Sequence, residues 1–355
     1  MHRGTIMSDY GNFNYNFHNI LRIKSDVDLG TPFFEVDDIE PDLIVKVVND
    51  FEVPRSNNTI RLGKNYWGGY NENYIYYCAR VLKQKLKLYL CNISNHEQTI
   101  LLCNKNYYRY VKLPLVFSLP FITVVWKVAG LKALRKGFAF QHSACIASGQ
   151  DGFLMLGFSD TGKSRTTFTC LLRNNDLKYL SDDATLLDAE GQAYSIFTRI
   201  SARLLKFLGL SVPFKGKVGI LLEDMMFPPI SYFIGQLKST VSNVEDILDK
   251  SRIQERAKVK AILFLEKGKD KLEELDKDEA INKMLLQTKA GLAPHFSQVP
   301  ILIYYSYFNS DFNLYELMEA EREIVTKVVE KADCFIVRSN NANFVGPIMR
   351  IISKV

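Results

Sequence analysis

The residues Gly157-Phe158-Ser159-Asp160-Thr161-Gly162-Lys163-Ser164 carry the spacing G-x-x-x-x-G-K-[ST]. Each type answers a need of phosphate binding. Glycines let the backbone curl so that its N–H groups point inward, lysine reaches the terminal phosphates, and the hydroxyl ligates Mg²⁺. A helix opening at that point adds its positive end. The run Gly157, Ser159, Asp160, Thr161, Gly162, Lys163, Ser164 and Arg165 is therefore expected to hold ATP or GTP, with Ser164 on the metal. Asp160 brings a carboxylate close to phosphate, which costs energy unless it turns away. Aspartate tolerates left-handed backbone geometry and can fill a glycine-like position. The bland alternative is a surface glycine turn before a helix.

Asp182 and Asp183 end the run Tyr179-Leu180-Ser181-Asp182-Asp183, the first of them nineteen positions beyond Lys163. Phosphoryl transfer needs Mg²⁺ near the β and γ phosphates and a base near the acceptor hydroxyl. Two adjacent carboxylates at a strand end can divide those duties. The competing reading is a capped turn, because Ser-Asp-Asp is also common loop chemistry. His142 lies on an apolar run upstream. It reads either as a satisfied core histidine or as a group carried toward the glycine turn by a hairpin.

The elements that must position these residues follow from periodicity. Phe153–Leu156 is a short apolar run suited to a buried strand, and Phe168, Leu171 and Leu172 recur at helical spacing after Ser164. Strand, loop, helix is the setting the motif requires. Ala139–Ala147 is expected as one strand, with Ser148–Gly152 as its turn and Phe153–Leu156 as the return strand. Downstream, Val259–Leu265, Ile301–Tyr305 and Cys334–Val337 read as strands, and Asp278–Leu286, Leu314–Lys331 and Val345–Ser353 as helices. The basic run Lys250–Lys258 reads as a solvated loop, or as a mobile loop meeting phosphate or an acidic partner.

The first third alternates differently. Phe17–Ile23, Leu43–Val48, Tyr74–Val81, Lys85–Asn92 and Thr99–Cys103 read as strands, punctuated by Ser56-Asn57-Asn58, Gly68-Gly69 and Asn92–Glu97. From Pro120 the pattern turns helical, with Ile122, Val125, Trp126, Ala129 and Ala133 on one face, cations at the far end and Gly137 as the stop. The domain boundary falls here. We expect a β-rich N-terminal domain over 1–135 and an α/β nucleotide-binding domain over 136–355.

Bulk properties narrow the classes. At 355 residues with 47% hydrophobic and 24% charged residues, the chain can bury a large core without metal or disulfide staples. The net charge of +6 is spread along the chain rather than gathered in a stripe, which argues against nucleic acid. The six cysteines show no zinc spacing and read as buried thiols in a reducing compartment, so a cytoplasmic location is expected. The N-terminus lacks an apolar signal core. Leu113–Leu131, interrupted by Pro114, Pro120 and Lys127, reads as a buried helix rather than a membrane span.

Together, His142-Ser143-Ala144-Cys145, the run Gly157–Ser164 and Leu180-Ser181-Asp182-Asp183 resemble the HPr kinase/phosphorylase family and its relatives. The resemblance is tight from Phe138 to Asp188. It extends loosely to Leu21–Asp26 and Ala261–Glu266. It implies a phosphate-loop kinase domain akin to phosphoenolpyruvate carboxykinase, preceded by the smaller β-rich domain. By the same resemblance, Gly157, Gly162, Lys163 and Ser164 hold nucleotide and Mg²⁺. One of Asp182 and Asp183 takes a proton from the acceptor while the other assists the metal; Asp182 is the candidate metal residue, and which of the two is the base stays open. His142 and Lys163 complete the catalytic set, and Arg199 or Arg203 could meet phosphate. Asp160 departs from the family's usual glycine. The family's second, Arg- and Gly-rich signature has no clear counterpart, Val218-Gly219-Ile220 being a poor substitute, so neither the phosphocarrier substrate nor the reverse phosphorolysis is implied. The expected function is an ATP-dependent kinase acting on a hydroxyl, such as a serine, of an unidentified protein, peptide or small molecule. The second reading is a nucleotide-sensing binding protein with little or no transfer. A homo-oligomer is compatible with either.

Overall fold

The computed structural model describes residues 12–29, 40–52, 57–81, 83–93, 98–110, 121–196, 200–212, 217, 220, 240–291 and 299–354. Arg199, Val218, Gly219, the turn residues 94–97 and the first part of Leu113–Leu131 lie outside these. In chain order come strands β1 (Phe13–Phe17), β2 (Leu21–Ser25), β3 (Leu43–Val48), β4 (Thr59–Leu62), β5 (Tyr66–Gly69), β6 (Tyr74–Val81), β7 (Gln84–Cys91) and β8 (Thr99–Asn104), then helices α1 (Lys105–Tyr110) and α2 (Phe121–Arg135). Next are β9 (Phe138–Gln141), β10 (Ala144–Ser148), β11 (Asp151–Leu156), α3 (Lys163–Arg173), β12 (Leu177–Ser181), β13 (Thr185–Asp188), β14 (Gln192–Ser195), β15 (Ile200–Ser201) and α4 (Ala202–Phe207). The rest comprises β16 (Thr240–Ser242), β17 (Arg256–Lys267), β18 (Lys271–Glu274), α5 (Lys277–Gly291), α6 (Pro300–Phe308), α7 (Leu314–Lys331), β19 (Asp333–Ser339) and α8 (Val345–Ile352).

The chain divides into two compact units. One comprises Met1–Leu29, Phe33–Lys136 and Phe296–Met318; the other comprises Gly30–Pro32, Gly137–His295 and Glu319–Val355. The chain is mixed α/β. Among the described residues, no helix is long and apolar enough to cross a membrane. Cys91, Cys103, Cys145, Cys170 and Cys334 are buried free thiols, and Cys78 is half-buried.

The first unit is built on an eight-stranded sheet in the order β1-β2-β3-β8-β7-β6-β5-β4. Its strands show the period-two burial that a half-covered sheet requires, as in β2 and β3, where alternate residues are buried. The run Phe17–Ile23 is not one strand. His18 and Asn19 adopt left-handed φ values of 53° and 59°, and Leu21 pairs back onto Phe17. Ile301–Tyr305 is not a strand either, but the core of helix α6. Pro300 occupies its first turn, where its missing N–H costs nothing. Ile301, Leu302, Tyr305 and Phe308 are buried, while Ile303 and Tyr307 stay exposed. The β-branched and aromatic composition suggested a strand, but helical burial won. Tyr305 fixes the helix, its hydroxyl accepting from Ile93 N and donating to Asn73 O, each at 3.1 Å.

The second unit holds a nine-stranded sheet running β12-β10-β11-β17-β14-β13-β9, with β19 and β18 branching from β17. The branch is possible because β17 is twelve residues long. Its first residues pair with antiparallel β14, and from Ala261 onward the same edge pairs with parallel β19. On its other edge β17 pairs with parallel β11. Phe153, Leu154, Met155 and Leu156 of β11 are all buried, the continuous apolar run of a strand covered on both faces. The expected single strand Ala139–Ala147 is two strands. β9 pairs with β13, whereas β10 pairs with β11 and β12, and the change of partner occurs across His142-Ser143. The turn between β10 and β11 is also tighter than expected. Ser148 pairs with Asp151, leaving Gly149, at φ 60°, and Gln150 as the loop.

The basic run Lys250–Lys258 is not a plain loop. It forms a single 3₁₀ turn at Lys250–Arg252, then enters β17. The Arg252 guanidinium donates to the carbonyls of Leu171 at 2.6 Å, Asn174 at 2.9 Å and Leu177 at 3.0 Å. It closes the C-terminal end of α3, where orphaned carbonyls and the helix dipole favour a cation.

Candidate functional site

The glycine turn joins the carboxyl end of β11 to α3. Two features force its shape. Gly162 takes φ 110°, a region side-chain-bearing residues rarely enter, and Asp160 sits at φ 62°. At Gly157 the limit is space: a Cβ there would lie 3.1 Å from Leu265 O of β17 and 3.2 Å from Thr161 Cβ. Thr161 locks the turn, its hydroxyl donating to Phe158 O at 2.7 Å and its N–H donating to the same oxygen at 3.2 Å. No side chain caps the start of α3. Its first amides thus retain the donor capacity that an uncapped helix N-terminus presents. Ser159 and Asp160 are exposed beside them.

Lys163 opens the helix but folds inward. It is only 6% exposed. Its ammonium donates to the Gly157 carbonyl and to His142 Nε2 at 3.2 Å. Burial lowers its pKa, opposed by the charges of Asp183, Asp182 and Asp160. The His142 Nδ1 lies 2.8 Å from the Asp183 carbonyl. A carbonyl can only accept, so Nδ1 carries the proton and Nε2 offers its lone pair to Lys163. His142 is therefore a neutral spacer that ties the lysine to the acidic segment.

The acidic pair is split by environment. Asp182 is buried, and Ser164 Oγ donates to its Oδ1 at 3.0 Å. Burial, then repulsion from Asp183, raises its pKa from 3.8 to about 7, against the Ser164 hydrogen bond and the Lys163 charge. Asp183 is exposed, at a left-handed φ of 66°. The structure thus gathers His142, Lys163, Ser164 and Asp182 by side chain and Asp183 by its carbonyl. Arg165 points elsewhere, onto the ring of Phe207. Arg203 lies on α4, and Arg199 lies outside the described residues.

Two sets of residues had no signal in the sequence. Ser143, Thr185 and Ser181 form a fully buried hydroxyl chain, Ser143 Oγ donating to Thr185 Oγ1 at 2.8 Å and Ser181 Oγ lying 2.6 Å from the same atom. It pins the β9–β10 crossing, which carries His142, to the β12–β13 crossing, which carries both aspartates. Ser143 and Ser181 stand inside recognisable runs, but nothing local links them to Thr185. The second set is Leu265, Ala342 and Phe344, which wall the two glycines.

Among the described residues, no group of three or more His, Cys, Asp or Glu side chains is placed to hold a metal ion. The oxygens of Ser164 and Asp182 nevertheless fit Mg²⁺, which takes one or two protein oxygens and completes its shell with phosphate and water.

No protein-family model matches the sequence. No curated protein matches it. Among solved structures, the Hpr(Ser) kinase/phosphatase from Coxiella burnetii aligns over 38% of this chain and 70% of that chain, at 12% identity and a TM-score of 0.22. At that score the likeness carries no argument, and the functional reading rests on the residues themselves.

Proposed function

We propose that the chain is a phosphotransferase that binds Mg·ATP on the turn Gly157–Arg165 and passes the γ-phosphoryl group to a hydroxyl acceptor. The observation that carries this reading is the Ser164–Asp182 hydrogen bond. A hydroxyl from the first turn of α3 and a carboxylate just past the end of β12 meet beside an uncapped helix start, with a buried lysine next to them. A glycine turn of purely structural origin would not require that meeting. The sequence resemblance to the HPr kinase/phosphorylase family points the same way.

The division of labour follows from exposure. The amides of the turn and Lys163 bind and orient the phosphates. Ser164 and Asp182 would hold Mg²⁺, which supplies charge neutralisation when bound. Asp183, open to solvent, meets the acceptor and takes its proton as the new O–P bond forms. The bond between the γ phosphorus and its bridging oxygen breaks, and ADP leaves. His142 keeps Lys163 in register. Catalysis of this kind is mainly positioning and electrostatics.

The test is incubation with γ-labelled ATP, Mg²⁺ and a cell extract. A labelled acceptor that disappears with Asp183→Asn and with Lys163→Ala supports transfer. Tight Mg·ATP binding without any labelled acceptor moves the reading to a nucleotide sensor. A Lys163→Ala protein that binds nucleotide as well as the native chain removes the site altogether.

A further inference from the structure

Beside the glycine turn lies a pair that phosphate chemistry does not use. Arg165 is in the first turn of α3, one residue past Ser164, and Phe207 ends α4. The guanidinium carbon sits 3.7 Å from the centroid of the Phe207 ring. That is close stacking, yet Phe207 is 47% exposed and Arg165 is exposed as well. A guanidinium this close over an aromatic ring makes a cation–π layer. The ring stays about half exposed beneath it, so hydrophobic gain alone does not explain the pair. Such layers are what nucleobases stack upon, because every base has a π face and stacking asks for no hydrogen-bond pattern.

We propose that the Arg165–Phe207 pair seats the purine base of the nucleotide, the phosphates running from it back along the glycine turn. The inference rests on the reading of Gly157–Arg165 as a nucleotide site and deepens it. Stacking discriminates a purine nucleotide from a bare polyphosphate but distinguishes adenine from guanine only weakly. ATP and GTP should therefore bind within a few-fold of one another. Arg165 also explains why the seat lies at this end of the turn: it directly follows the residue whose hydroxyl is assigned to the metal.

The experiment is calorimetric titration of the full chain with Mg·ATP, Mg·GTP and Mg·tripolyphosphate. Phe207→Ala should weaken ATP and GTP roughly tenfold or more while leaving tripolyphosphate within about twofold. Phe207→Tyr should restore both nucleotides. Arg165→Lys keeps the charge but loses the plane, and should also weaken the nucleotides selectively. An unchanged ratio of ATP to tripolyphosphate affinity in Phe207→Ala, with both ligands still bound, overturns the base seat and leaves the phosphate site standing. Failure of the native chain to bind any of the three ligands overturns both.

Discussion

Replacing Asp182 by asparagine should make the free protein more stable in alkali while removing the proposed phosphotransfer. The carboxyl is 7% exposed, and its pKa rises from 3.8 to about 7 because burial and the Asp183 charge disfavour its ionised form. The folded chain therefore keeps a proton that the unfolded chain gives up. Between those two values, stability declines as pH rises, and the whole cost of the buried charge is borne above about pH 7. At about 1.4 kcal/mol for each tenfold change, a rise of this size costs on the order of a few kcal/mol, a smaller part of it already present at pH 5. Asparagine does not titrate and can still accept from Ser164. Urea unfolding of both proteins at pH 5, 6, 7 and 8, without nucleotide or metal, measures the difference. The advantage of Asp182→Asn should widen by about 2 to 3 kcal/mol from pH 5 to pH 8. A flat difference, or a variant that loses ground as pH rises, would refute the claim that Asp182 is held as a buried, charge-disfavoured acid. The same variant should show no acceptor labelling, since magnesium would lose a carboxylate ligand.

Three other outcomes follow from the geometry. Thr185→Val keeps the shape of the side chain but strips Ser143 and Ser181 of their shared partner, so urea unfolding should show a loss of about 1–3 kcal/mol. Arg252→Ala leaves three carbonyls around the end of α3 without their cation, and chemical denaturation should report a loss of about 2–4 kcal/mol, with Arg252→Lys recovering only part. Gly157→Ala presses a methyl group against the Leu265 carbonyl, which cannot yield without moving β17. A cost of about 1–3 kcal/mol is expected in the melting profile, together with weaker Mg·ATP binding.

Much of the local geometry of the candidate site was legible because its signals are local. The tolerance of Asp160 for left-handed geometry, the apolar run of β11 and the helical spacing after Ser164 each depend on a few neighbouring residues. The same is true of α7, α8 and β19, whose periodicity survives in the fold almost residue for residue. Local composition misled where it pointed two ways. Ile301–Tyr305 has strand-like residues, but Pro300 and the burial of Tyr305 and Phe308 select a helix. Ala139–Ala147 looks continuous because a strand that changes partners midway keeps its apolar pattern.

The amino-acid sequence alone determined that a glycine turn would follow a buried strand, open a helix and be succeeded by two carboxylates, since φ preferences, side-chain branching and capping act within a turn or two of chain. Only the tertiary structure decided that one aspartate is buried against Ser164 and its neighbour open to water, that His142 holds Lys163, and that Thr185 ties the two crossings together. Those are pairings between residues up to forty-two positions apart. They are selected by which strands can be buried side by side with their polar groups satisfied, a condition on the whole sheet that no short window of residues contains.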